Sequence, residues 1–121
     1  MKNEARYALP WPPSANNSKT FSPRLKRMVS TQVLRKYKEM CRWTILETGV
    51  VKVKPPYIVT LDIYEPDRRK RDIANLEKAP TDALVEAGVM TDDSKIDILL
   101  LRRVGIVDEG RIVVTVKHKE S

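Results

Sequence analysis

Three aspartates and one lysine stand where a chain could carry out metal-assisted chemistry: Asp72, the adjacent pair Asp92 and Asp93, and Lys78. Directly ahead of Asp72 runs Arg68-Arg69-Lys70-Arg71, and Asn75, Leu76 and Asp82 follow it. Clustered carboxylates hold a hard divalent cation such as Mg²⁺, and a run of cations attracts phosphate. Together they point to attack on a nucleic-acid backbone. Each residue also has a plainer reading. Asp72 at a helix start can be an N-cap, Asp92-Asp93 a polar turn after Gly88, and Lys78 a solvent-facing helix lysine. The conjunction favours chemistry, because the carboxylates flank one predicted helix and four cations adjoin the first of them. Lys78, one turn beyond Asn75, would neutralise charge on a phosphate in the transition state.

These residues need a scaffold. Tyr7-Ala8-Leu9 reads as a short strand ended by Pro10-Trp11-Pro12-Pro13, since three prolines in four residues cannot join a sheet interior. Residues 14–18 read as a turn-rich loop that continues into an irregular basic segment from Lys19 to Met28, expected to be mobile without ligand. A helix is predicted from Ser30 or Thr31 as N-cap to Gly49. Val33, Tyr37, Met40, Cys41 and Thr44 recur at helical spacing, with Arg35, Lys38 and Arg42 on other faces. Residues 57–64 alternate as a strand, stopped by Pro66.

A second helix is predicted from Asp72 to Ala87, closed by Gly88. On it Ile73, Leu76, Pro80, Ala83, Leu84 and Ala87 share an apolar arc, while Asp72, Asn75, Lys78 and Asp82 gather on a separate arc of about 120°. Pro80 removes a backbone donor and is expected to kink or divide this helix. Residues 96–104 and 111–117 are predicted strands around the turn Asp108-Glu109-Gly110. This order implies one α+β domain over residues 1–121, a mixed sheet of about four strands packed with two main helices.

Composition narrows the chemistry. The chain has 121 residues, one cysteine and one histidine, which excludes an internal disulfide, a cysteine-rich zinc site and histidine-dependent triads. No membrane-length apolar run or signal peptide is evident, so a cytoplasmic location is expected. The net charge is +7 and unevenly spread: residues 1–60 carry 12 lysines and arginines against 3 acids, residues 61–121 carry 11 against 13. The first half is suited to a polyanion and the second supplies the carboxylates.

Two blocks carry a resemblance. One is Leu9-Pro10-Trp11-Pro12-Pro13-Ser14 with Asn16-Asn17; the other runs from Arg68 through Asp72, Asn75-Leu76, Lys78, Asp82-Ala83-Leu84 and Ala87-Gly88 to Asp92-Asp93. In order and spacing, over nearly the full length, they resemble the RusA family of Holliday-junction resolvases. The resemblance implies a small homodimeric, Mg²⁺-dependent endonuclease, often phage- or prophage-encoded, that makes paired nicks across four-way DNA in recombination and repair. It makes Asp72 and Asp93 catalytic metal ligands and Lys78 a catalytic lysine, with Asn75 and Asp92 in support. The family's second aspartate falls on Ala74. A methyl group coordinates nothing, so either the site was deliberately inactivated or this member has diverged, and Mg²⁺ (with Mn²⁺ as a substitute) is expected to bind weakly or not at all.

On this reading Lys19, Arg24, Lys26, Arg27, Arg68, Arg69, Lys70 and Arg71 would line the DNA-facing side of the dimer. Asp72 and Asp93 would share a cation only if the intervening helix ends or bends early, because unbroken it would be roughly 22 Å long. Two other readings of the residues remain: a non-catalytic junction binder, and a general basic nucleic-acid-binding protein whose acidic cluster is structural.

Overall fold

The alternation of residues 57–65 is realised without exception: Tyr57, Val59, Leu61, Ile63 and Glu65 are all buried and the residues between them half-buried. The computed structural model describes residues 1–13, 19–22 and 27–120. Its elements are β1 (Glu4–Pro10), β2 (Lys19–Ser22), β3 (Arg27–Ser30), α1 (Gln32–Thr48), β4 (Tyr57–Glu65), α2 (Lys78–Glu86), β5 (Ile96–Ile106) and β6 (Arg111–His118). Strands β1-β6-β4-β5 form a mixed sheet, with β4 antiparallel to β6 and parallel to β5. The α+β architecture with two helices is as expected. Among the described residues no helix is long and apolar enough to cross a membrane.

The core lies between one sheet face and the helices. Ala5, Tyr7 and Leu9 of β1, Val59, Leu61 and Ile63 of β4, and Ile112, Val114 and Val116 of β6 meet Leu34, Tyr37, Cys41 and Ile45 of α1 and Ala79, Ala83 and Leu84 of α2. Helix α1 begins at Thr31, whose hydroxyl accepts from Leu34 N, and ends at Gly49, as the sequence signals predict. Its buried stripe differs from the expected one: Leu34 and Ile45 face inward, while Val33 and Met40 are more than half exposed. Both stripes contain Tyr37 and Cys41, so a rotation of the helix by a fraction of a turn exchanges their edges. Burial pushes the Cys41 thiol up to about 11, which keeps it a neutral core group.

Two further expectations are corrected: the loop reading of the basic segment, and the place at which the second helix divides. The segment from Lys19 to Met28 contains β2 and the first two residues of β3, and the two strands pair antiparallel from Lys19–Ser30 to Ser22–Arg27, so it is not a loop throughout. The predicted helix from Asp72 to Ala87 is divided into a 3₁₀ turn, Ile73–Leu76, and α2. Pro80 is the cause, although the break precedes it: its ring would collide with the Leu76 carbonyl four residues back, so the chain cannot remain helical through both. Within the first turn of α2 its missing N–H costs nothing, because that donor would have no intrahelical partner. The turn Asp108-Glu109-Gly110 stands between two strands, as expected. β5 and β6 flank β4 on opposite sides, so the turn crosses over the C-terminal end of β4.

That crossover is pinned from beneath. Val107 N donates to Glu65 O at 3.0 Å and Gly110 N to Val107 O at 3.0 Å. Gly110 has φ +67°, and a Cβ there would lie 2.8 Å from the Trp11 ring and 2.9 Å from Pro66. A side chain would therefore meet both a strained backbone and a closed contact. Gly110→Ala is expected to destabilise the fold by about 2 kcal/mol, measured as a lowered urea midpoint at unchanged m-value.

Candidate active site

Three tyrosine hydroxyls bond to loop backbone, one of them directly before the Asp92-Asp93 turn. Tyr37 OH donates to Pro10 O at 2.8 Å, anchoring the Pro-Trp-Pro-Pro segment against α1. Tyr7 OH donates to Gly49 O and accepts from Val51 N, both at 2.8 Å, fixing the chain as it leaves α1. Tyr57, fully buried, accepts from Thr91 N at 3.0 Å and so sets the start of the Asp92-Asp93 turn.

On those supports the carboxylates take different tasks. Asp72 caps the 3₁₀ turn, its Oδ1 accepting from Ala74 N at 3.1 Å, while Asn75 N bonds to Asp72 O at 3.1 Å. Asp92 caps the short 3₁₀ turn Asp93–Lys95 by accepting from Ser94 N at 2.9 Å. That backbone hydrogen bond holds the Asp92 carboxyl below its ordinary range. The N-cap reading is thus realised for Asp72, and the polar-turn reading for Asp92. Asp93 instead reaches Lys78, its Oδ2 lying 3.1 Å from Nζ.

Lys78 stands between two carboxylates, with Asp82 Oδ1 also at 3.1 Å. Its pKa is raised, first by the hydrogen bond to Asp93 and then by that to Asp82, so it stays an ammonium throughout the neutral range. It can neutralise a phosphate; it cannot serve there as a general base. Lys38 of α1 backs this group, 3.9 Å from Asp82 and 3.3 Å from Glu86. The structure therefore joins Lys78, Asp82 and Asp93, with Asp72, Ala74 and Asn75 on the turn that precedes α2. Among the described residues no three Asp, Glu, His or Cys side chains are grouped so as to hold a metal ion.

Of the basic run, Arg68, Arg69 and Lys70 are exposed. Arg71 is turned inward: it pairs with Asp67 at 2.8 Å and Glu65 at 3.4 Å, and its guanidinium lies over the Trp11 ring, 5.3 Å from the centroid. Two clefts meet at this loop and share Lys70, Arg71 and Asp72. One, of about 540 Å³, also touches Glu65 and Arg103; the other, of about 260 Å³, lies against Trp11 and Asn75. Lys19 and Arg27 fall on β2 and β3, and Arg24 and Lys26 lie outside the described residues.

Sequence reasoning gave no role in the site to Glu65, Arg103 or Tyr57. For Glu65 a signal was present, since it continues the inward phase of Tyr57, Val59, Leu61 and Ile63, and a carboxylate on a buried face requires a counter-charge.

The sequence pattern of the family described as Endodeoxyribonuclease RusA matches residues 10–117. The chain belongs to this family. Among its relatives are proteins named crossover junction endodeoxyribonuclease RusA from Enterobacteria phage 82, Escherichia coli K12 and Shigella sonnei, each 30% identical over 118 residues that cover 94% of both chains. The matched span of this RusA-family chain includes the Trp11 segment, the basic loop, Lys78 and Asp93, so the site described above lies wholly within it.

Tyr57→Phe removes the acceptor for Thr91 N while leaving the core filled. It is expected to cost about 1 kcal/mol in urea unfolding and to speed amide exchange at Thr91 selectively.

Proposed function

We propose that this chain binds four-way DNA junctions, and that its site is that of a Mg²⁺-dependent crossover junction endodeoxyribonuclease lacking one carboxylate, at position 74. The observation that carries this reading is the placing of three exposed cations, Arg68, Arg69 and Lys70, directly beside Asp72, with Lys78 and Asp93 in contact across α2. Membership of a family whose relatives are named for crossover-junction cleavage supports the substrate.

Each residue has a task in this scheme. The exposed cations neutralise backbone phosphates, which gives affinity and register without reading bases. Lys78, held protonated by Asp82, remains available to a phosphate when Asp93 turns to another partner. As they stand, Asp72 and Asp93 do not make a fit site for a resident divalent ion: one caps a turn, the other is paired with Lys78, and Ala74 offers no donor. With aspartate at 74, that residue, Asp72 and Asp93 would form the donor set, and Mg²⁺ would supply charge neutralisation and an activated water.

A homodimer completes the proposal. A four-way junction has approximate two-fold symmetry and needs two symmetric cuts, which two chains related by a two-fold axis provide. Strand β5 offers the surface. It is a sheet edge of 11 residues, and Ile98, Leu99, Leu100, Val104 and Ile106 are each 41–51% exposed. Such an edge invites pairing with another strand. Leu100→Arg is expected to convert a dimer to a monomer in sedimentation velocity; an unchanged dimer removes β5 from the interface.

A second reading, a junction-binding protein without catalysis, is favoured by Ala74 itself. One panel separates the two. The chain as it stands is expected to prefer four-way junctions over linear duplex without metal, and to lose roughly a hundredfold in affinity between 50 and 200 mM salt if four phosphates are neutralised. Ala74→Asp is expected to confer Mg²⁺-dependent paired nicking, and adding Lys78→Ala to depress that nicking far more than binding. No nicking by the Ala74→Asp chain favours the binder. Robust nicking by the Ala74 chain removes position 74 from the ligand set, and equal affinity for junction and duplex overturns both readings.

A further inference from the structure

Glu65 closes β4 with its side chain 8% exposed, and two arginines from different elements converge on it. Its Oε1 accepts from Arg103 Nε at 2.6 Å and its Oε2 lies 3.4 Å from Arg71 Nη1. Arg103 reaches further: its Nη2 donates to the Arg71 main-chain carbonyl at 2.8 Å. That carbonyl belongs to the peptide bond joining Arg71 to Asp72. The Arg71 guanidinium is closed in on its other sides by Asp67 and the Trp11 ring.

Stability alone does not call for this arrangement. Replacing a buried ion pair by apolar side chains is often neutral or stabilising, so its clearer consequence is geometric. The loop after Pro66 has no regular structure until Ile73, and apart from its own turns its ties to the sheet run through these arginines. We propose that Glu65 and Arg103 are positioning residues: the buried carboxylate orients Arg103 and Arg71 so that the peptide ahead of Asp72 is fixed, which sets where the Asp72 carboxylate stands. The same clamp withdraws Arg71 from the DNA-facing surface and leaves Arg68, Arg69 and Lys70 to meet phosphate. The inference rests on reading Asp72 as a site residue, and the test separates failure of the clamp from failure of that reading.

Glu65→Gln keeps the shape and removes the charge; Arg103→Gln, on a half-exposed edge-strand side chain, leaves the core untouched. In the chain as it exists, both are expected to speed amide exchange at Ala74 and Asn75 by about tenfold or more while exchange in β4 and β6 is unchanged. Junction affinity is expected to stay within about threefold or to tighten, since Arg71 is freed and a negative charge is lost in Glu65→Gln. In the Ala74→Asp background both are expected to lower the single-turnover nicking rate about tenfold and to raise the Mg²⁺ needed for half-maximal rate, with Arg103→Lys recovering part of the loss. A merely structural role would instead lower binding and nicking together, in step with the folded fraction. Unchanged exchange at Ala74 and Asn75 in both variants overturns the clamp, as does faster exchange with nicking unaltered. Should Glu65→Gln fail to fold, Arg103→Gln decides alone. If the Ala74→Asp parent does not nick, the nuclease reading fails, and exchange at Ala74 and Asn75 still decides for or against the clamp.

Discussion

A carboxylate cannot stand uncompensated at the end of a strand whose inward face is closed to water, and the neighbourhood of Glu65 is organised by that constraint. β4 is flanked by β6 and β5 and buries every odd residue, so Glu65 inherits the phase of Leu61 and Ile63. Its neutralisation draws Arg103 from β5 and Arg71 from the following loop. Its main-chain carbonyl receives Val107 N, at the start of the crossover to β6. Trp11 then closes the group, with the Arg71 guanidinium over its ring and Gly110 close against it. The proline-rich segment, the basic loop and the β5–β6 crossover thus meet at one strand end.

The consequence for charge is a sorting of like residues into unlike tasks. Arg68 to Arg71 are four consecutive cations in the sequence, yet one is consumed by Glu65 and Asp67 while three remain exposed. The acids divide similarly. Asp72 and Asp92 serve backbone donors, and Asp82 and Asp93 serve Lys78. An ammonium between two carboxylates is a neutralised arrangement that a phosphate can compete for, because the partly exposed pairs around it are individually weak. The site is therefore poised for an anion by loosely held surface pairs, on a framework held by the more deeply buried pairs of Glu65.

What was legible in the sequence followed from local physics. Period-two alternation placed β4, Thr31 and Gly49 bounded α1, and the two sequence blocks carried the family. What was not legible depended on long-range pairing. The local pattern marks β5 and β6 as strands around the turn at Gly110 but says nothing of β4 lying between them. The phase of α1 was misjudged because Val33 and Met40 are as apolar as Leu34 and Ile45, and only the facing elements choose between the two stripes. The division before α2 was foreseen from Pro80 but placed at it, because the steric conflict falls on a carbonyl four residues earlier. The Glu65 clamp joins residues 38 apart, and no local pattern selects Arg103 over Arg102.

Position 74 shows how far framework and chemistry are separable in this fold. The part of Ala74 that the structure uses is its N–H, held by Asp72 Oδ1, while its side chain is exposed on a 3₁₀ turn and packs against nothing in the core. Alanine is a good residue for such a turn, and an aspartate there would bury no charge. The turn, its cap and its tether through Arg103 are therefore indifferent to whether alanine or aspartate stands at 74. A single methyl can replace a carboxylate without disturbing the loops that would aim it, so the chain keeps the scaffold and the cations of a junction-acting enzyme whether or not it keeps the third ligand.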